Sequence, residues 1–175
     1  MNSKREEAVE KLIRSYAAYY NINRFDDDKN SLLVARCDFF EHSQKYVLSR
    51  KAELWSTDSE EFLYLFNVPK LDLETLNSCQ KTAYEDGMSR LNIGPGHMYS
   101  FITAVFLCDS CTKDARKVLK KTRIYKSFHF SLHGWMDYHT AAVSFDDNRI
   151  DSNYSGRSTA KIMKKILFNK KEKEK

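Results

Sequence analysis

LLVARCDFFE at residues 32–41, KYVLSRKAELW at 45–55 and EFLYLFN at 61–67 decide how this chain folds. The first alternates, with Leu33, Ala35, Cys37 and Phe39 on one side, the period of a half-buried strand. The other two are rich in aromatic and branched residues. Ser43-Gln44 and Thr57-Asp58-Ser59 are the polar joints between them, so the three read as a β-meander.

Working outward, residues 3–20 read as a helix. Ser3 and Glu6 have capping-box spacing. Ala8, Leu12, Ile13, Tyr16 and Tyr19 or Tyr20 recur at helical period. Asn21 to Asn30 breaks the pattern around an acidic loop, Asp26-Asp27-Asp28. Beyond the meander, Asp72 caps a helix over 73–86 that Gly87 ends. Gly94-Pro95-Gly96 opens a strand over 97–108, and Asp109 or Ser110 caps a basic helix over 112–122. Strands over 124–133, 138–145 and 149–153 follow. Ser158 begins a last helix that turns Ile162, Met163, Ile166 and Leu167 inward. Residues 169–175 have no apolar face to dock and are expected to fray. The order α-βββ-α-β-α-βββ-α specifies an α+β domain, with a mixed or mostly antiparallel sheet and helices covering one face. No linker interrupts residues 1–168, which read as one domain.

The 175 residues suffice for a real core, since a chain of this size removes ~70% of its unfolded surface from water. Eleven Phe and ten Tyr exclude a disordered chain, and five Gly with two Pro exclude a linker-rich one. The charged start, Met1 to Glu7, has no apolar stretch behind it and reads as neither signal nor transit peptide. The longest apolar run, Phe101 to Cys108, is too short to span a bilayer. The expectation is a cytoplasmic protein, no membrane, and four reduced thiols at Cys37, Cys79, Cys108 and Cys111. The net charge of +5 divides unevenly. Residues 113–126 carry +6, residues 161–175 carry +5, and the remainder carries −6.

Several residues carry chemistry in this pattern. Cys108-x-x-Cys111 lies between a strand and a helix, where a helix N-terminus lowers a thiol pKa. A thioredoxin-type site also needs a proline after the motif, and zinc needs two further ligands; the sequence offers neither. His129, Ser131 and His133 fall on one side of the expected strand, with Phe128, Phe130 and Leu132 on the other as core. A histidine pair two apart could hold a metal or move protons, or simply be the polar side of a strand. His97 follows the Gly-Pro-Gly turn. The opening α-βββ-α-β matches the order of restriction-endonuclease-like folds, whose sites resemble a carboxylate on one strand and Glu-x-Lys on the next. Glu41, Glu53, Asp58, Glu60 and Glu61 are acids in that region. Leu63 stands two after Glu61, so the lysine is missing. No metal ligand set and no cofactor is assigned. The basic helix presents Arg116, Lys117, Lys120 and Lys121, followed by Arg123, with Tyr125 and Phe128 interleaved. Such a surface could track phosphates and stack bases, or be an ordinary solvated helix face.

Phe40-Glu41-His42-Ser43-Gln44-Lys45-Tyr46, Gly96-His97-Met98-Tyr99-Ser100 and Leu132-His133-Gly134-Trp135 together resemble an uncharacterised bacterial domain family of unknown function, over about 35–167. The resemblance implies bacterial origin. It transfers no activity, and directs attention to His42, His97, His133, Lys45 and Trp135.

The leading expectation is a small binding or regulatory module that meets an acidic partner, nucleic acid or another polyanion, through Arg116, Lys117, Lys120, Lys121 and Arg123. The second is a metal-dependent hydrolase or nuclease with a His/Glu-lined cleft drawn from His42, His97, His133, Glu41 and Glu61. The third is an assembly protein forming a homodimer through Trp135 and Tyr138.

Overall fold

Strands buried on both faces read as continuous apolar runs, because water touches neither side. Three runs of this chain do so, FLYLF at 62–66, ITAVFLC at 102–108 and TAAVS at 140–144. They lie side by side at the centre of a mixed sheet. The computed structural model describes residues 3–25, 31–46 and 53–168, with the backbone alone for 42–46 and 53–58.

The elements are α1 (Lys4–Tyr16), β1 (Asn21–Arg24), β2 (Leu33–Tyr46), β3 (Glu53–Leu71), α2 (Leu73–Arg90), β4 (His97–Cys111), α3 (Lys113–Lys121), β5 (Tyr125–Ser127), β6 (Trp135–Ser144), β7 (Arg149–Ser152) and α4 (Arg157–Phe168). The sheet order is β1-β2-β3-β4-β6-β5, and β7 also pairs with β6. β3/β4 and β4/β6 are parallel. The pairs β1/β2, β2/β3, β5/β6 and β6/β7 are antiparallel. Parallel neighbours need a long crossover, which α2 supplies for β3 to β4 and α3 with β5 for β4 to β6.

The domain has the expected α+β class and element order, but its helices cover both faces of the sheet, not one. Alternate residues of β3 and β4 face opposite layers. Phe62, Tyr64, Phe66, Ile102 and Phe106 pack with Leu76, Cys79 and Ala83 of α2 and with Ala115 and Leu119 of α3. Leu63, Leu65, Val105 and Leu107 pack with Ala8, Val9, Leu12, Ile13 and Tyr16 of α1 and with Met163 of α4. Both faces of these strands are apolar, so one covered face could not have satisfied them.

Several boundaries move for physical reasons. Ser43-Gln44 and Thr57 are not joints. They pair across the β2/β3 ladder, Ser43 with Thr57 and Gln44 with Ser56, polar residue opposite polar residue. The expected strand 45–55 is therefore the end of β2 and the start of β3, and its middle, 47–52, lies outside the described residues. Asn21–Arg24, read as a break, adds β1 to the edge. Gly87 does not end α2. A Cβ there would sit 2.8 Å from the Ile102 side chain, so glycine lets the helix lie close on the sheet. Thr112, not Asp109 or Ser110, caps α3, its hydroxyl accepting from the Ala115 N–H. The Ser3/Glu6 capping box and the Asp72 cap are present as read.

The expected strand 124–133 is mostly a loop. Only Tyr125–Ser127 pairs, and His129, Phe130 and Ser131 adopt φ of 48°, 52° and 68°. Three successive left-handed residues turn the chain back toward β6, a backbone that costs non-glycine residues energy. Phe130 and Leu132, read as core, are 96% and 72% exposed.

Two polar clusters tie the layers. Arg90 at the end of α2 donates to both oxygens of Asp38 on β2, at 2.9 and 2.6 Å, and its guanidinium lies 4.2 Å from the Phe62 ring centroid. Asn153, 1% exposed, accepts from the N–H groups of Thr140 and Gly156, and donates to the carbonyls of Thr122 and Tyr138.

Candidate functional site

β3 carries two adjacent carboxylates, and the strand period sends them to opposite faces. Each meets a different set of groups.

Glu61 faces α1 and α4. Its Oε2 accepts from the Tyr20 hydroxyl at 2.7 Å and its Oε1 from Thr103 at 2.6 Å. Each carboxylate oxygen has a further lone pair. Around it lies a cavity of about 110 Å³ lined also by Tyr16, Leu63, Phe101, His139, Ser158, Thr159 and Ile162. Two helices, the turn after α1 and three strands supply these groups. Tyr16 closes α1, Ser158 and Thr159 open α4, and Glu61, Phe101 and His139 come from β3, β4 and β6. The His139 ring stacks on Phe101 at 4.4 Å between centroids. Burial lowers the His139 pKa below its ordinary 6.5, against the opposing pull of Glu61 and Asp137. The ring is thus held neutral at pH 7, with one nitrogen a donor and the other an acceptor. Burial raises the Tyr16 and Tyr20 pKa values, so both remain hydroxyls. The buried Tyr16 hydroxyl has no hydrogen-bond partner.

This arrangement has a pH signature. A histidine with a lowered folded pKa binds fewer protons in the native state than in the unfolded one, so stability rises with pH through the window below 6.5. His139→Gln is expected to flatten the stability-versus-pH curve between roughly pH 5 and 7, where an ordinary histidine titrates. Urea unfolding at a series of pH values reads this, and an unchanged slope would count against a buried neutral imidazole.

Glu60 faces the α2/α3 layer. Its Oε1 accepts from Ser100 Oγ at 2.7 Å, and Ser100 Oγ is 2.7 Å from His97 Nε2. His97 Nδ1 donates to the carbonyl of His133 at 2.6 Å. His97 and Ser100 are three apart on a strand yet share a side, because the β3/β4 register steps from Asp58↔His97 to Ser59↔Tyr99 and leaves Met98 as an extra residue. A bulge of this kind re-aims a side chain. Glu60, Ser100 and His97 are all buried. The chain anchors the β5–β6 loop to the sheet, since His133 is its acceptor.

The sequence-derived candidates therefore part company. Glu61 is in the cavity. His97 and His133 meet on the other face, through the His133 backbone. Glu41 is exposed on β2, opposite Ser59, and of His42 and Lys45 only the backbone is described. His129 is exposed and stacks on His133 at 4.9 Å. Trp135 stacks on Tyr99. Tyr138 is fully buried, so it cannot form the expected dimer contact. Among the described residues no three His, Cys, Asp or Glu side chains converge as a metal site. Arg116 is bound to Asp151 at 2.6 Å and Asp147 at 2.9 Å, and Lys120 to Asp151 at 2.8 Å. Lys117 and Lys121 line a surface groove with Val118, and Arg123 is exposed.

Sequence reading missed Tyr16, Tyr20, Thr103, His139 and Ser158, and on the other face Ser100. Tyr16 and Tyr20 looked like ordinary helix stripe. The available signal was Glu60-Glu61 directly before an apolar run, since a buried carboxylate must find donors.

The fold and cavity define a three-layer domain in which two helical layers enclose a mixed sheet and one face keeps a polar pocket. Residues 4–165 match a domain family of unknown function, DUF8052, and the chain belongs to that family. No curated protein and no solved structure matches it. No described helix is long and apolar enough to cross a membrane.

Proposed function

We propose that this domain binds a compact polar ligand in the Glu61 cavity. The observation that carries the reading is that Tyr16, whose buried hydroxyl has no hydrogen-bond partner, lines the same cavity as Glu61 and His139. A buried donor without an acceptor costs about 1–3 kcal/mol, and a ligand offering an acceptor there would recover it. Glu61 has lone pairs for a hydroxyl or amine of the same ligand. The cavity of about 110 Å³ is large enough to take a small polar molecule. Phe101, Leu63 and Ile162 provide its apolar wall. Glu61 and neutral His139 can also accept a proton from a bound hydroxyl, so the site supports acid–base chemistry as well as binding.

Other surfaces support less. Arg116 and Lys120 spend their charge on Asp147 and Asp151. The basic helix α3 and the lysines of α4 lie on opposite sides of the sheet, so they do not add to one patch.

Tyr16→Phe and Glu61→Gln test the reading together. Without ligand, Tyr16→Phe is expected to leave stability unchanged or raise it by about 1 kcal/mol, because an unsatisfied hydroxyl is removed. A panel of small amines, alcohols and amides is then screened by thermal shift. At least one compound is expected to raise the wild-type Tm and to lose that effect in both variants. A marked loss of stability in Tyr16→Phe, or binders indifferent to both substitutions, would defeat the proposal.

A further inference from the structure

We propose that the ligand of the Glu61 cavity is an organic cation, an ammonium head seated at Glu61 with an apolar body running onto the neighbouring sheet face. The proposal rests on reading that cavity as a ligand site. Paired residues of neighbouring strands share a face. Glu61, Phe101 and Asp137 form one row across β3, β4 and β6, and Ser59, Tyr99 and Trp135 form the next. Glu61 and Phe101 line the cavity. The other members continue the same face away from it.

Charge sets the ligand class. Glu61 accepts from two neutral hydroxyls, those of Tyr20 and Thr103. Asp137 is half-buried, and its contact with His139 Nε2, at 3.8 Å, is beyond hydrogen-bond reach. Burial keeps His139 neutral, so it brings no positive charge. Among the described residues no lysine or arginine pairs with Glu61 or Asp137. Asp38 and Asp151 form the contrast. The first is buried against Arg36 and Arg90, and the second against Arg116, Lys120 and Arg149. The fold thus neutralises those carboxylates with its own cations and leaves Glu61 and Asp137 to an outside one. An ammonium would make charge-assisted hydrogen bonds there. A neutral ligand would leave both charges standing.

The rings around these carboxylates point the same way. Tyr20 lies between Tyr16 and Phe39, at 5.4 and 5.6 Å between centroids. Phe101 leads to Tyr99 at 5.0 Å, and Tyr99 stacks on Trp135 at 5.8 Å. The faces of aromatic rings attract cations. Tyr99 is half-buried and Trp135 partly exposed, so a strip of rings leads from the cavity to the surface. That strip is where an apolar body would lie. The buried Tyr16 hydroxyl without a partner calls for an acceptor, which a hydroxyl on the same ligand supplies.

Calorimetric titration of the full-length chain with 2-amino-1-phenylethanol and with 1-phenylethane-1,2-diol decides the matter, since the two differ only in ammonium against hydroxyl. The amine is expected to bind at least about tenfold more tightly than the diol, the margin of a hydrogen bond to a charged group. Asp137→Asn is expected to weaken the amine about fivefold, the scale of a partly exposed ion pair, and to leave the diol unchanged. Trp135→Leu is expected to weaken both compounds, because it removes ring contact and no charge. Near-UV circular dichroism checks the fold of each variant, and the wild-type comparison decides even where a variant does not fold. Equal binding of amine and diol, lost for both in Tyr16→Phe and Glu61→Gln, would overturn the cation and leave the cavity reading standing. Amine binding indifferent to Asp137→Asn and Trp135→Leu would overturn its placement on this face. An amine that does not bind would overturn the inference, while the alcohols and amides of the thermal-shift panel still decide the cavity reading.

Discussion

Asn153→Asp is expected to destabilise the domain by about 3 kcal/mol or more at pH 7, and to regain part of that loss on acidification. The side chain fills all four of its hydrogen-bonding places with backbone. It accepts from Thr140 N–H at 3.1 Å and Gly156 N–H at 2.7 Å, and donates to Thr122 O at 3.1 Å and Tyr138 O at 2.8 Å. These partners lie on β6, at the C-cap of α3 and just before α4, so one amide joins three elements. Aspartate keeps the two acceptors but removes both donors. It then sets a carboxylate oxygen against two carbonyl oxygens in a site that is 1% exposed. A buried charge facing acceptors is costly, and such a carboxyl has a raised folded pKa. The sign follows from linkage. A group with a raised folded pKa contributes stability that is present at low pH and lost as pH rises. The protonated acid can also donate to one of the two carbonyls. Urea denaturation of Asn153→Asp and Asn153→Ala across pH reads both effects. Asn153→Ala should be destabilised to a similar degree but without that pH dependence. A loss below about 1 kcal/mol in both variants would mean that the amide does not hold these elements together.

Gly134→Ala is expected to cost about 3 kcal/mol or more, or to prevent folding. Two independent effects add. Gly134 has φ of +72°, a left-handed backbone that costs an L-residue about 1–2 kcal/mol. Its Cβ would also overlap the Met98 carbonyl oxygen and come within 2.8 Å of His97 Nδ1. Met98 is the bulge residue of β4, and its carbonyl cannot swing aside as a flexible side chain can. The substitution would push β6 from β4 where the His97–His133 hydrogen bond fastens the loop. Gly94→Ala is the control, since nothing lies within 4 Å of a Cβ there. It should change stability by no more than about 0.5 kcal/mol, like other surface substitutions. Equal stability of the two alanine variants would refute the close packing around Gly134.

What the sequence reveals differs between elements for identifiable reasons. The run at 61–67 is a strand in any reading, and the caps Ser3, Asp72 and the helix stripe of Ala8, Leu12 and Ile13 depend only on near neighbours. Those features were legible. The alternation Phe128-His129-Phe130-Ser131-Leu132-His133 imitates a strand, but the loop's backbone geometry turns it, and alternation carries no information about φ. The polar residues 43–44 and 56–57 look like turns until they are seen to face one another across a ladder. For the site, Glu61 was visible as an acid beside an apolar run. His139 was not, because it sits in the run Tyr138-His139-Thr140-Ala141, and only the β3-β4-β6 order brings it near Glu61. Ser100 was invisible as a partner of His97 because their contact depends on a bulge.

The two-sided burial of β3 has a consequence for how its alignment is chosen. When one face of a strand meets water, a slip by one residue exposes the apolar set and is rejected at once. Here both faces are apolar, so a slip would exchange Phe62, Tyr64 and Phe66 for Leu63 and Leu65 with little change in hydrophobic energy. The carboxylates lift this near-degeneracy. Only one alignment brings Glu60 to Ser100 and Glu61 to Thr103 and Tyr20. A slip would part both from these donors, and a carboxylate left buried without a partner costs several kcal/mol. In this strand the charged residues act as the alignment key, and the greasy ones supply the adhesive.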